Sequence, residues 1–95
     1  MARVLYLRLK KPWFDMIKSG EKKEEYRELK PYWRKRLRTQ MFDILIFTLG
    51  YPKIDDTERI LTFNNPKIRI DTGRSEWGAR PGVNYFVITW DKKKL

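Results

Sequence analysis

The sequence predicts an α+β fold that is mostly β: a small mixed β-barrel of about five or six strands with two short helices. Three observations lead there. Six segments carry strand patterns, either alternating or continuously apolar. Two further segments open on a Lys-Pro step and carry apolar residues at helical spacing. The chain has 95 residues, so residues 1–95 form a single domain large enough to bury one core without disulfides.

Residues 3–9 alternate. Leu5, Leu7 and Leu9 point one way and Val4, Tyr6 and Arg8 the other, the pattern of a half-buried strand. Lys11 and Pro12 open the first helix, where proline has no hydrogen bond to lose. Trp13, Met16 and Ile17 make one apolar stripe with Phe14 beside it, read as core packing. Ser19 and Gly20 end that helix.

Residues 21–28 carry charges of both signs around Tyr26 and read as a strand. Alternation puts Lys23, Glu25 and Arg27 on one side and Lys22, Glu24, Tyr26 and Glu28 on the other. Lys22 is therefore out of phase with Glu25 and Arg27. The three meet in one pocket only if Lys22 belongs to the turn after Gly20, or if a bulge re-aims it. The segment reads either as an edge strand laced with ion pairs or as the polar wall of a pocket.

The second helix spans residues 30–38, with Pro31 in its first turn. It holds five basic residues and no acid. Tyr32, Trp33 and Leu37 anchor one side, while Arg34, Lys35 and Arg38 project elsewhere. Basic side chains among aromatics suit phosphate contact with base stacking. The plainer reading is a solvated basic helix on an aromatic foot.

Residues 43–49 are nearly all apolar and read as a strand buried on both faces. A loop follows through Gly50, Tyr51 and Pro52. Asp55 and Asp56 lack a third ligand, so no metal is expected. Residues 58–63 and 67–71 are two more strands, with Ile68 and Ile70 on one face, and Asn64-Asn65-Pro66 reads as a hairpin connection. Residues 73–82 contain three glycines and a proline and read as a flexible loop bearing Arg74, Glu76, Trp77 and Arg80. Residues 84–90 form a last strand, apolar on both faces, before a basic, frayed tail over 91–95. The expected core contains Leu5, Leu7, Ile44, Ile46, Val87 and Ile88, with Trp13 or Ile17 covering the barrel.

Lysine and arginine number 22 against 12 acidic residues, a formal net charge of +10. That balance favours a polyanionic partner, RNA or another nucleic acid. There is no cysteine and no histidine, which removes disulfides, Cys/His zinc sites and every triad built on imidazole or thiolate. No cofactor is expected. No apolar run approaches the length of a membrane span, and residues 1–10 do not resemble a signal peptide. The lack of cysteine fits a reducing compartment, so a cytoplasmic location is expected.

Gly20, Lys22, Glu25 and Arg27 spell G-x-K-x-x-E-x-R, and Glu76-Trp77-Gly78-Ala79 precedes the last strand. With its order of strand, short helix, motif strand and β-rich remainder, the chain resembles the ASCH family, a branch of the PUA-like barrels. The resemblance covers most of the chain. It implies a compact barrel whose cleft is lined by motif side chains, and a function tied to nucleic acids. The family includes binding modules, reported nucleases and a small bacterial branch that hydrolyses N4-acetylcytidine with a threonine three residues after the lysine. Here that position is Glu25, and a carboxylate does not simply replace a hydroxyl nucleophile.

The functional reading is a nucleic-acid-binding domain that takes RNA or a nucleotide in a basic cleft around the motif. Arg27 offers a fork for phosphate or carboxylate. Glu25 is an acceptor for an exocyclic amine, and Lys22 a point charge for phosphate. Trp33, Arg34, Lys35 and Arg38 extend the interface along the second helix. Tyr51, Arg74 and Trp77 extend it from the loops. One alternative is a small hydrolase acting on RNA or a modified nucleoside, with Lys22, Glu25 and Glu76 as acid–base groups. A second alternative is a protein-interaction module working through exposed aromatics.

Overall fold

In the computed structural model, which describes residues 2–38 and 41–91, the alternating segment after the N-terminus is strand β1 (Val4–Leu9), with Leu5, Leu7 and Leu9 buried. It lies parallel to β3 (Ile44–Leu49), and β4 (Ile60–Asn64) adds antiparallel to β3. Leu7 faces Phe47, and Phe47 in turn faces Leu61, so one face of this sheet is continuously apolar. A parallel pair needs a long crossover. The chain between β1 and β3 supplies it with helix α1 (Lys11–Ser19), strand β2 (Glu25–Arg27) and helix α2 (Pro31–Leu37).

The second sheet is antiparallel, in the order β2, β6 (Asn84–Thr89), β5 (Lys67–Thr72). Strand β6 is its centre, with Tyr85, Phe86, Val87 and Ile88 all buried, as its two apolar faces predict. Phe86 and Ile88 join Leu5, Leu45, Phe63 and their neighbours in one core between the sheets, which Phe14, Ile17 and Leu37 from the helices complete. Among the described residues the fold is thus α+β, with two helices and six strands. These strands form two separate three-stranded sheets, and no pairing among the described residues closes them into a barrel.

Several expectations need correction. Asn64-Asn65-Pro66 is not a hairpin: β4 pairs with β3 and β5 with β6, so these residues carry the chain from one sheet to the other. Asn65 takes φ 51°, which asparagine tolerates. Its amide donates to the Asp43 carbonyl, and its side chain to Asp91 Oδ2. Ile44 and Ile46 are half-buried, because only the Leu45 and Phe47 face of β3 meets the core. Ile70 is exposed on the edge strand β5, although it shares its face with Ile68. Residues 58–59 belong to a short 3-10 turn (Thr57–Arg59) and not to β4. Tyr32 does not anchor α2; it is 62% exposed, while Leu37 is buried and Trp33 half-buried. The tail over 92–95 lies outside the described residues. Among the described residues, no helix is long and apolar enough to cross a membrane.

Candidate functional site: a Lys–Glu–Arg group between two tryptophans

Gly20 ends α1 in the left-handed conformation, φ 87°, with its amide on the Ile17 carbonyl. The Lys22 amide then bonds back to the Met16 carbonyl at 3.0 Å, and β2 begins only at Glu25. Lys22 therefore belongs to the turn, outside the strand's alternation, and its side chain reaches the same place as those of Glu25 and Arg27. In β2 these last two stand opposite Ile88 and Phe86, on the face of the sheet turned to the core.

The three charges form one chain of contacts. Lys22 Nζ lies 2.8 Å from Glu25 Oε1, and Arg27 Nη2 lies 2.7 Å from Glu25 Oε2. Arg27 Nη2 also donates to the Arg8 carbonyl at the end of β1, at 3.0 Å. Lys22 is 2% exposed and Glu25 6%. Burial lowers the Lys22 ammonium's pKa below its ordinary value; the Glu25 carboxylate opposes the fall, and the Arg27 charge adds to it. Buried charges of this kind persist only when paired. Arg27 Nε is buried with no hydrogen-bond acceptor among the described residues, a rarity in folded proteins.

Each cation also meets a tryptophan. Lys22 Nζ sits 4.4 Å from the centre of a Trp13 ring, and the Arg27 guanidinium 5.0 Å from Trp33. Trp13 was expected in the core; it is half-buried and lines a cavity of about 430 Å³ together with Arg8, Lys10, Glu25, Arg27 and Trp33. The cavity lies where the end of β1, the starts of both helices and β2 converge.

The loop over 73–82 holds the walls of this region in place. A Cβ on Gly73 would fall 2.6 Å from the Tyr26 ring, and one on Gly78 3.0 Å from Trp13. The loop expected to be flexible thus packs its glycines against two of the site's aromatic rings. It also carries a 3-10 turn (Ser75–Trp77). Tyr26 is tied on both sides of its hydroxyl: it donates to Glu24 Oε1 at 2.8 Å and accepts the Arg74 amide at 3.0 Å. Burial pushes its pKa from the ordinary 10.0 to about 12; the Arg74 amide opposes the rise, and Glu24 adds to it.

No protein-family model, no curated protein and no solved structure matches the chain. The site therefore stands on its own geometry.

The structure brings Lys22, Glu25, Arg27 and Trp33 together. It does not bring Glu76 to them: that carboxylate faces Arg74 at 3.8 Å on the exposed loop, where Arg74 also lies over Trp77 at 4.9 Å. Tyr51 is 83% exposed, with the Arg8 guanidinium 3.7 Å over its ring, beside the outer face of β1 and β3. Arg34, Lys35 and Arg38 are exposed, and none makes an ion pair among the described residues. Asp56 pairs with Arg59 at 3.4 Å.

Sequence reasoning missed three participants. Trp13 looked like core because its stripe is apolar. Arg8 contributes a backbone carbonyl, for which no side-chain pattern exists. Arg36 lies 5.3 Å from the Trp33 ring and 5.8 Å from Tyr32; its place four residues after Tyr32 and three after Trp33 was the available signal.

Proposed function

We propose that this chain is a nucleic-acid-binding domain of ASCH type, PUA-like in ancestry, that takes RNA or a nucleotide in the cleft between Trp13 and Trp33. The observation that carries the reading is the wall of that cleft: two tryptophans, each against a cation of one Lys–Glu–Arg group, of which Arg27, half-buried, lines the cleft itself. Aromatic faces offer stacking to a base. The Arg27 fork and the exposed basic residues of α2, which begins at the cleft, offer phosphate contacts. Glu25 serves chiefly as the brace of two cations, since both its oxygens are engaged.

Binding is favoured over hydrolysis. A general acid or base must come within hydrogen-bond reach of its substrate, and Lys22 is almost wholly covered. Glu76 is turned to Arg74. A protein-interaction role through Tyr6, Tyr51 and Ile54, all exposed on one side of the first sheet, would show little salt dependence.

The test is a titration with short single-stranded RNA over a series of salt concentrations. With about four to six phosphates neutralised, log K falls with log salt at a slope of roughly −3 to −4. Absence of binding at low salt, or a flat slope, removes the reading.

A further inference from the structure

A second cavity, about 500 Å³, adjoins the first. The two share Tyr26 and Glu28 as lining residues, and a Cβ on Gly78 of the second would fall 3.0 Å from the Trp13 ring of the first. They meet along β2, an edge strand of its sheet, as a first and a second lobe. We propose that the second lobe is a nucleotide subsite, so that the chain takes a dinucleotide step of single-stranded nucleic acid and not a lone nucleotide. This inference rests on the nucleotide reading of the first lobe.

The lining of the second lobe has the chemistry for it. Its aromatic side is built by Tyr26 and Tyr85, whose rings stand 5.8 Å apart on the face of the second sheet turned away from the main core. The Tyr85 hydroxyl accepts the Arg80 amide at 3.0 Å, which leaves its own proton to donate. Arg80 makes no ion pair among the described residues, so its guanidinium keeps the fork that phosphate takes. Asn84, exposed at the start of β6, carries an amide that can both donate to and accept from a base edge. Glu28, at the junction of the lobes, would repel a phosphate there, but Lys30 stands 3.4 Å from its carboxylate and offsets that charge. The backbone of the Arg80 segment is held by Tyr85, and a second turn bond joins the Val83 amide to the Arg80 carbonyl. The lobe is therefore shaped before any ligand arrives.

The experiment compares ribonucleoside 5′-monophosphates with the matching 5′-phosphorylated dinucleotides, at one fixed low salt, by calorimetric titration. The proteins are wild type, Arg80→Ala, Asn84→Ala and Arg27→Ala. Wild type binds the dinucleotide at least about tenfold more tightly than the monophosphate, the order of gain a second stacked base provides. Arg80→Ala and Asn84→Ala bring that ratio down several-fold and leave the monophosphate affinity unchanged, while Arg27→Ala weakens both ligands. A wild-type ratio near one, or a ratio that Arg80→Ala and Asn84→Ala both leave intact, overturns the second subsite while the first stands. If neither ligand binds wild type, the nucleotide reading itself fails, and this inference with it.

Discussion

Lys22 and Glu25 behave as core residues although both are charged. Their burial is tolerable because Glu25 divides its two oxygens between Lys22 and Arg27. Taking away one member of such a group strands the others, which typically costs about 3–5 kcal/mol. Glu25→Gln is therefore expected to destabilise the fold by that order, read from denaturant unfolding. In a Lys22→Met background the same change costs at least about 1 kcal/mol less, because the stranded ammonium is gone. Equal costs in both backgrounds would show that the pair is not coupled. Nothing in the polarity of residues 21–28 discloses this burial. The spacing left the question open, since strand alternation put Lys22 on the wrong side. The turn after Gly20 resolves it, through a backbone bond to Met16 that the side-chain pattern does not record.

Among the elements, those with strong periodicity were legible and those decided by partners were not. β1, both helices and β6 lie within a residue or two of where their patterns put them. The path between β4 and β5 was misread because Asn-Asn-Pro makes an equally good corner between sheets. The choice is made by Asp43 and Asp91, distant in sequence, which receive Asn65's donors. The loop over 73–82 was misread for the same kind of reason: glycine permits flexibility, but here it permits close packing. Gly73 has no room for a methyl group beside Tyr26 and Ala79. Gly73→Ala is expected to cost about 1–3 kcal/mol from overpacking and to weaken ligand binding through displacement of Tyr26. Ile70→Ala, on the exposed edge strand, should change stability by no more than about 0.5 kcal/mol. Thermal or denaturant unfolding of the two variants side by side checks the contrast; a Gly73→Ala protein as stable as Ile70→Ala would mean the loop is not seated on Tyr26.

At the scale of the whole molecule, the net charge of +10 is spread unevenly. The acidic residues near the cleft are largely spent on partners: Glu24 on Arg69, Glu25 on Lys22 and Arg27, Glu28 on Lys30. Arg34, Lys35 and Arg38 on α2 keep their charge uncompensated among the described residues, on the helix that Trp33 roots at the cleft. On the nucleic-acid reading proposed above, these charges would draw a polyanion to α2, whose Trp33 lines the cleft. The four tryptophans report on whether it enters. Trp13 and Trp33 flank the proposed slot, Trp77 lies on the loop against Arg74, and Trp90 packs on Phe47 and Phe63, 5.0 and 5.4 Å away. The decisive measurement is the ¹⁵N–¹H spectrum of the four indole groups during titration with a short single-stranded RNA at low salt. The account predicts that the Trp13 and Trp33 resonances move together and saturate, while Trp90 stays in place. Shifts confined to Trp77, or no indole shift while RNA is bound, would contradict it.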